Sequence, residues 1–560
     1  DAAAFSLPVY SPAATETFAA YGNLTDDGIR VPFDRPEGIV DTFGGLEITT
    51  ASTQLQALTD AFLYHQKYPY ECSEQLASRV ISVVALRDVL SAFKAKDMPS
   101  TEKIDAVLRQ DIVELGRRQT PQGGWGFWTS MGRAWPFIGV HVMHALVRAQ
   151  SKDIQVPKEV MDLGRDYLKD IKEYFPKGYP KPIRHSTEAY ALYVRAMMGD
   201  LDARRALALI REAGGMQKMP LEMAGWLYPV LVDGRDTRRA VAQLRRRMSN
   251  EVTETAGEAH FVTEYSDGAH LLLHSNRRTD ALLLEGLLRD RPRDSLVPKL
   301  VRGLLAGRAQ GRWGSTQENV WVLLALERYF KTYERVTPNF VARLWLGERF
   351  VGEQAYEGRV IQNHRWFVPM NQLKDAPDVL LQRTGAGRLY YRLGLTYAPN
   401  DRQQALDRGF TVSRYYEAVE DDGDVRQDAD GTWRVRAGAL VRVQLKMVVP
   451  GRRHHVALTD RLPAGFEPLN PALAVSEDIG PPPEAEGGPW WWTRPWFDHQ
   501  NLKDERVEAF GASLGAGIYS YSYVARATTP GRFRIPAAHA EQMYAPETFG
   551  RSRAERVIVE

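Results

Sequence analysis

Apolar positions recur at helical spacing through the first half of the chain and at every second residue through much of the second half. Leu55, Leu58 and Phe62 suit one helix face, Leu76, Val80, Val83, Val84 and Leu90 the next, and Ile104, Leu108, Ile112 and Leu115 a third. Roughly a dozen such patterns run from about Thr53 to about residue 334, separated by connections such as Gln119-Thr120-Pro121-Gln122-Gly123-Gly124. The last is announced by Ser315-Thr316-Gln317-Glu318, a capping box, before the apolar run from Val320 to Phe330. So long a series of antiparallel helical hairpins needs a closed or stacked arrangement to bury its faces.

Residues 1–52, rich in Thr, Val, Pro and Gly, read as strands and turns. Beyond Pro338 the period is two: Val441, Val443, Leu445 and Met447 alternate with Arg442, Gln444 and Lys446, and Tyr519, Tyr521 and Tyr523 with Ser520 and Ser522. These are half-buried strands of sandwich type. Gly480-Pro481-Pro482-Pro483 through Gly488 is a loop or linker. Strand material on both sides of a helical block implies an α plus β chain in which helices 53–335 are inserted into a β-domain built from 1–52 and 336–400, with 401–560 a further β-domain.

At 560 residues the chain exceeds one hydrophobic core, so about three domains are expected. Lys and Arg total 72 against 70 acidic residues, with the two signs mixed throughout, which leaves no electrostatic footprint for nucleic acid. Arg245-Arg246-Arg247 is expected at a solvated helix end. No stretch of about 18 apolar residues suits a membrane span, and Asp1-Ala2-Ala3-Ala4 does not begin a signal peptide. A start directly in strand-like sequence, without Met, suggests an excised C-terminal fragment of something longer. A single cysteine excludes an intrachain disulfide framework and leaves the compartment unspecified.

That cysteine opens Cys72-Ser73-Glu74-Gln75, at the start of the second helical pattern. Side chains at i and i+3 share a helix face. The thiolate of Cys72 can therefore condense with the carboxamide of Gln75, losing ammonia, to form an internal thioester. Free cysteines are otherwise most often small buried hydrophobes. A thioester carbonyl receives little resonance donation from sulfur and carries a good leaving group, so amines and hydroxyls attack it without a cofactor. Each molecule could react once. Water competes, so the bond lasts only in dry surroundings.

Tyr68-Pro69-Tyr70-Glu71-Cys72-Ser73-Glu74-Gln75 resembles the Cys-x-Glu-Gln thioester signature of the alpha-2-macroglobulin and complement superfamily, and most closely the bacterial macroglobulins, where Tyr-Pro-Tyr precedes it. Gly123-Gly124-Trp125-Gly126-Phe127-Trp128 and Trp313-Gly314-Ser315-Thr316-Gln317-Glu318-Asn319 are similar to turns of that family's thioester domain, and Tyr521 to Gly531 to its terminal sandwich. The resemblance implies an α/α toroid of about six helical hairpins inserted in a CUB-like β-sandwich, followed by a receptor-binding-type macroglobulin sandwich. It also implies a periplasmic protease inhibitor that couples covalently to lysine amines of target proteases after a bait region is cut. No bait segment is identifiable here. Inner-membrane association would depend on a missing N-terminal part, and no cofactor or metal is implied. By the same resemblance Tyr68 and Met543 shield the thioester. Complement-type members use a histidine a little over a hundred residues beyond the cysteine, and His185 lies at a comparable separation, although its surroundings match that pattern poorly. Without it the site favours amines over hydroxyls.

Other motifs point elsewhere. Gly511-Ala512-Ser513-Leu514-Gly515 has the form of a hydrolase elbow, but a strand follows where that motif needs a helix, so a hairpin loop is expected. Asp421-Asp422-Gly423-Asp424 and Asp428-Ala429-Asp430-Gly431 lack the spacing and distal Glu of an EF-hand and suit turns. Zincin and P-loop signatures do not occur. Two other readings remain: an α/α-toroid enzyme of terpene-cyclase or glycan-processing kind, which needs clustered acids on a common cavity, and an adhesin using the same Cys–Gln bond to anchor to a surface partner.

Overall fold

The computed structural model describes residues 16–24, 27–52, 58–86, 99–131, 133–255, 257–265, 267–308, 311–333, 338–358, 363–373, 378–399, 403–469 and 495–560. Leu55, Leu90 and the 480–488 segment lie outside these. The described chain forms two compact units, one of residues 17–35 and 45–395, the other of 36–44 and 396–560 together with Glu16.

The helices of the first unit are α1 (Thr59–Lys67), α2 (Ser73–Leu86), α3 (Thr101–Arg117), α4 (Pro136–Gln150), α5 (Lys158–Lys169), α6 (Lys181–Met197), α7 (Ala203–Glu212), α8 (Leu221–Asp233), α9 (Arg238–Glu251), α10 (Asn276–Asp290), α11 (Leu296–Ala306) and α12 (Thr316–Tyr333). Each even-numbered helix packs on the next, and α12 packs back on α2, which closes the ring. Odd-numbered helices lie outside it: α3 packs on α2, α5 on α4 and α6, α9 on α8, and α11 on α10. This division explains the sequence pattern. Outer helices need one apolar stripe, such as the buried Ile104, Leu108, Ile112 and Leu115 of α3. Inner helices are enclosed on all sides, so α4 buries nearly every residue from Pro136 to Ala149. The centre is filled by Phe137, Tyr190, Trp226 and Trp321, with the Tyr190 and Trp226 rings stacked 4.9 Å apart.

Two inner helices are entered through the same device. The indole N–H of Trp125 donates to Leu115 O at 2.7 Å, and that of Trp313 to Leu304 O at 2.8 Å. Both carbonyls belong to the last turn of an outer helix, which leaves its final C=O groups without helical donors. Ser315 accepts from the Glu318 N–H at 3.3 Å, as a capping box requires, while the Glu318 carboxylate accepts from Gly314 N at 2.8 Å and from Ser275.

Strands from both sides of the helical block interleave. One sheet runs Glu16–Leu24, Leu389–Tyr397, Gly45–Ala51, Asn363–Pro369, and the other Gly28–Pro32, Asp378–Ala386, Asn339–Leu346, Arg349–Glu357. They share a core of Leu24, Phe340, Ala342, Tyr356 and Leu389. The helical toroid is thus inserted in a β-sandwich. Arg392 ties the two parts of this unit together, with a bidentate bond to Asp60 of α1 at 2.7 and 2.8 Å and a bond to Glu47 at 2.8 Å.

The second unit is built of two antiparallel sheets, around Leu440–Val449, which pairs with Thr411–Ala418 and Gly517–Ala527, and Arg453–Arg461, which pairs with Arg506–Leu514 and His539–Gln542, and of a mixed sheet in which Thr432–Val435 runs parallel to Glu555–Val559. Val441, Val443, Leu445 and Met447 all face its core. Residues 36–44 join this unit, with Val40 N donating to Ala398 O at 2.9 Å, so the first β-segment divides between the two units instead of running whole from 1 to 52. Two local expectations are corrected. Ser513 does not sit in a hairpin: Arg506–Leu514 and Gly517–Ala527 belong to different sheets, and residues 515–516 turn a corner between them. Arg247 is not solvated: it is buried and donates to Met216 O and Met219 O, both at 2.6 Å, because α9 lays that side chain under the preceding loop.

Candidate functional site

Cys72 stands at the N-cap of α2: its C=O accepts the Leu76 N–H at 3.0 Å, the first bond of the helix. Gln75, at N3, turns its carboxamide back so that Oε1 accepts the Cys72 backbone N–H at 2.9 Å. This is the N3-to-N-cap half of a capping box, with a sulfur where the usual hydroxyl stands. It folds the amide carbon over the residue that carries the thiol. Cys72 is fully buried and Gln75 is 4% exposed.

The turn is held from three sides. Ser73 N donates to Phe127 O at 2.7 Å, and Arg118 donates to Glu71 O at 2.7 Å. Phe127 ends the Gly-Gly-Trp loop, where Gly123 adopts φ 86° and a Cβ would lie 2.3 Å from Leu163 O, so glycine is required there. On the other side Arg79 of α2 forms a buried bidentate pair with Asp111 of α3 at 2.7 and 2.6 Å and approaches Glu71 at 3.5 Å. Burial opposes the Arg79 charge, and Asp111 outweighs it. A cavity of about 870 Å³ opens beside the turn, lined by Glu71, Leu76, Arg79, Lys103, Asp111 and Arg118 among others.

Glu74 is wholly buried, and its carboxylate is received by three neutral donors. It accepts from Ser78 Oγ at 2.7 Å, Gln317 Nε2 at 2.6 Å and Thr316 Oγ1 at 2.8 Å. From Ser78 a polar chain crosses the ring: Ser78 Oγ to His141 Nε2 at 2.9 Å, His141 Nδ1 to Tyr190 OH at 3.0 Å, Tyr190 OH to His144 Nδ1 at 2.8 Å, and Arg148 Nε donating to His144 Nε2 at 2.6 Å. Burial, with Arg278 and His65 adding to it, pushes His141 down to about 3, and burial with Arg148 pushes His144 well below its ordinary value. Both imidazoles are therefore neutral: Arg148 donates to His144 Nε2, so His144 Nδ1–H donates to Tyr190 OH, Ser78 donates to Glu74, and His141 Nε2 also meets the Gln317 amide nitrogen at 3.1 Å. Gln317 continues the network, its Oε1 accepting from Arg278 at 2.7 Å, which in turn donates to Glu222 at 2.8 Å. Arg278 and His274 outweigh burial and hold Glu222 down to about 2. None of these polar roles was legible from the sequence, because enclosed helices carry no polar face to flag them.

Tyr68 is half-buried between two rings, 5.2 Å edge-on to Tyr64 and 5.5 Å edge-on to Tyr70, with Arg312 stacked 4.3 Å above Tyr64. Met543 is buried in the second unit, its N–H donating to His455 O at 3.0 Å. His185 lies on α6. Burial lowers its pKa, and the charges acting on it are Glu188, Glu212, Arg205 and Lys181, all on α6 and α7. Among the described residues no cluster of His, Cys, Asp and Glu suits a metal ion, and no helix is long and apolar enough to cross a membrane.

Residues 409–547 match the bacterial alpha-2-macroglobulin MG10 domain. The chain is 25% identical over 580 residues to an alpha-2-macroglobulin homologue of Nostoc, which covers all of this chain and 29% of that protein. Along its whole length the chain is similar to bacterial alpha-2-macroglobulins. It is also similar to circularly permutated Ras protein 2 of Dictyostelium discoideum, 24% identical over 641 residues, covering all of this chain and 16% of that one. The chain thus spans less than a third of these relatives' lengths. Among solved structures it resembles native alpha-2-macroglobulin of Escherichia coli from domain MG7 to the C-terminus, with TM-score 0.76, 21% identity, and coverage of 98% of this chain and 83% of that one. It also resembles Salmonella alpha-2-macroglobulin reacted with methylamine, with TM-score 0.74, 19% identity, and coverage of 97% and 34%. In fold, then, the toroid, its host sandwich and the terminal sandwich follow the macroglobulin arrangement.

Proposed function

We propose that Cys72 and Gln75 form an internal thioester and that the chain serves a single-use protease trap. The observation carrying this reading is the 2.9 Å bond from the Cys72 N–H to Gln75 Oε1 in a fully buried first turn. In formation, Cys72 Sγ adds to the Gln75 amide carbon, the C–N bond breaks, and ammonia leaves with the thiol proton. In capture, a lysine amine of an attacking protease adds to the same carbon, the C–S bond breaks, and the amine's proton goes to the departing thiolate. The Cys72 N–H donates to the carbonyl oxygen throughout and supports the oxyanion that develops on it. That methylamine reacts with the similar Salmonella protein supports a small-amine acceptor.

Tyr68, wedged between Tyr64 and Tyr70 in the unit that carries Cys72, is the shield residue of this reading, and its replacement by Ala speeds spontaneous hydrolysis. His185, with neighbours drawn from α6 and α7, stays out of the chemistry, so amines are preferred over hydroxyls and His185→Ala leaves both reactivities unchanged. The periplasm is the compartment, target proteases are the partners, and the bait is carried elsewhere in the full protein. Mass spectrometry of the intact chain with a thiol assay tests the proposal. The expected results are a mass lower by one ammonia with no titratable thiol, then gain of one methylamine as one thiol appears. An unmodified Gln75 beside a titratable Cys72 in never-activated protein refutes it.

A further inference from the structure

We infer that Glu74 is a positioning residue for the thioester, acting through the closing helix of the ring; the inference rests on the proposed thioester. Glu74 lies between the two residues that would be joined, and its carboxylate is held by Thr316 and Gln317, the first two residues of α12, and by Ser78 one turn further along α2. Two helix N-termini thus share one buried carboxylate, an arrangement favoured by both helix dipoles. The bonds join positions 242 and 243 residues apart in sequence and exist only when the ring has closed.

Rotation of the first turn of α2 is fixed by this clamp. Consecutive helical residues are about 100° apart around the axis, so holding Glu74 inward sets the direction of the other face, on which Cys72 and Gln75 emerge about 60° apart. A rotation or fraying of this turn lengthens the path between sulfur and amide carbon, and reactions of this kind lose rate steeply with small misplacements. The clamp also makes thioester assembly conditional on completion of the toroid. Gln317 is itself fixed by Arg278, so it presents Nε2 to Glu74 and keeps Oε1 for the guanidinium.

The test uses the chain with Glu74→Gln, Thr316→Val, and the double exchange Glu74→Gln with Gln317→Glu. Glu74→Gln sets an amide donor against the Gln317 and Thr316 donors. The exchange restores one donor facing one acceptor, with the new carboxylate at position 317 accepting from Arg278. Thioester content is read as ammonia loss and methylamine uptake, and thermal unfolding is followed in parallel. Glu74→Gln is expected to lower thioester content or lifetime about tenfold, and the double exchange to restore most of it. Wild-type content in a folded Glu74→Gln variant overturns the inference while leaving the thioester reading intact. If Glu74→Gln does not fold, Thr316→Val decides: reduced thioester at an unchanged melting temperature supports the inference, and unchanged thioester overturns it. Absence of a thioester in the wild-type chain overturns both.

Discussion

Replacing Arg79 by Met isolates the energetics of the support beneath the thioester turn. Arg79 and Asp111 are buried, their side chains 9% and 4% exposed, and two bonds of 2.7 and 2.6 Å join them. Met fills most of the aliphatic volume but leaves the Asp111 carboxylate without its guanidinium. Breaking a buried pair from one side costs about 3–5 kcal/mol. Arg118, which also acts favourably on Asp111, draws the value toward the lower end. The contact with Glu71, whose side chain is 52% exposed, adds little. With a urea dependence of about 3 kcal/mol per molar, the unfolding midpoint of the helical unit falls by about 1 M. A second substitution, Asp111→Leu, removes the stranded charge, and the double variant recovers most of the loss, since apolar replacement of a whole buried pair is often neutral. The assay is urea unfolding of wild type, both single variants and the double. A shift under about 0.3 M for Arg79→Met, or a double variant as unstable as the single, refutes the argument that desolvation of the orphaned partner sets the cost.

Asp280, pushed up to about 7 by burial against the opposing Phe261 N–H bond and Arg277, gives a pH signature. Its folded value lies above its unfolded one, so the folded chain holds the extra proton and its stability is complete below pH 4 and falls as pH rises toward 7. Asp280→Asn keeps the acceptor for Phe261 N, so it matches wild type at pH 4 and is more stable at pH 8 by up to about 4 kcal/mol, as thermal unfolding at the two values will show. Gly123→Ala places a methyl against Leu163 O at a positive φ and destabilises the helical unit by about 1–3 kcal/mol, with faster thioester loss because the same loop presents Phe127 O to Ser73. In the second unit, Arg414→Met strands the buried Asp460 and lowers that unit's melting transition, and Tyr523, which also donates to Asp460 at 2.8 Å, only partly compensates.

Periodicity made the elements legible because it is a local property. Val441, Val443, Leu445 and Met447 face the core as alternation requires, and α3 buries the stripe its spacing implies. Membership of a sheet is not local. The Gly-Ala-Ser-Leu-Gly run could be read as strand and turn, but whether its two flanking strands pair with each other or with partners 45 or more residues away depends on the register of Arg453–Arg461 and Leu440–Val449. Residues 36–44 escaped for the same reason: their unit is decided by Ala398 and Pro399, contributed from the far end of the host sandwich. At the site, Cys72 and Gln75 were visible through their spacing. Gln317, His141 and Tyr190 were not, since a polar residue on an enclosed helix has no pattern that separates it from a solvated one.

The cap at α2 explains why the support around it is so extensive. In an ordinary capping box the N-cap hydroxyl satisfies an N–H of the first turn while the N3 side chain satisfies that of the N-cap. Sulfur is a poor acceptor, so with Cys72 at the N-cap the helix start leans on the second half, the bond to Gln75 Oε1. The helix start would be weak if left to itself, at the point where misplacement matters most. Phe127 O takes the Ser73 N–H, Arg118 takes the Glu71 carbonyl, and α12 takes the Glu74 carboxylate, so the neighbours supply what the cap residue does not. Cys72→Ser is then a direct probe of this balance. The hydroxyl restores a full capping box and should stabilise the helix start by about 0.5–1 kcal/mol while abolishing loss of ammonia and methylamine uptake. A Cys72→Ser chain that melts well below wild type would show that the sulfur contributes stability through the acyl bond itself, and that the supporting contacts are not sufficient to hold the turn without it.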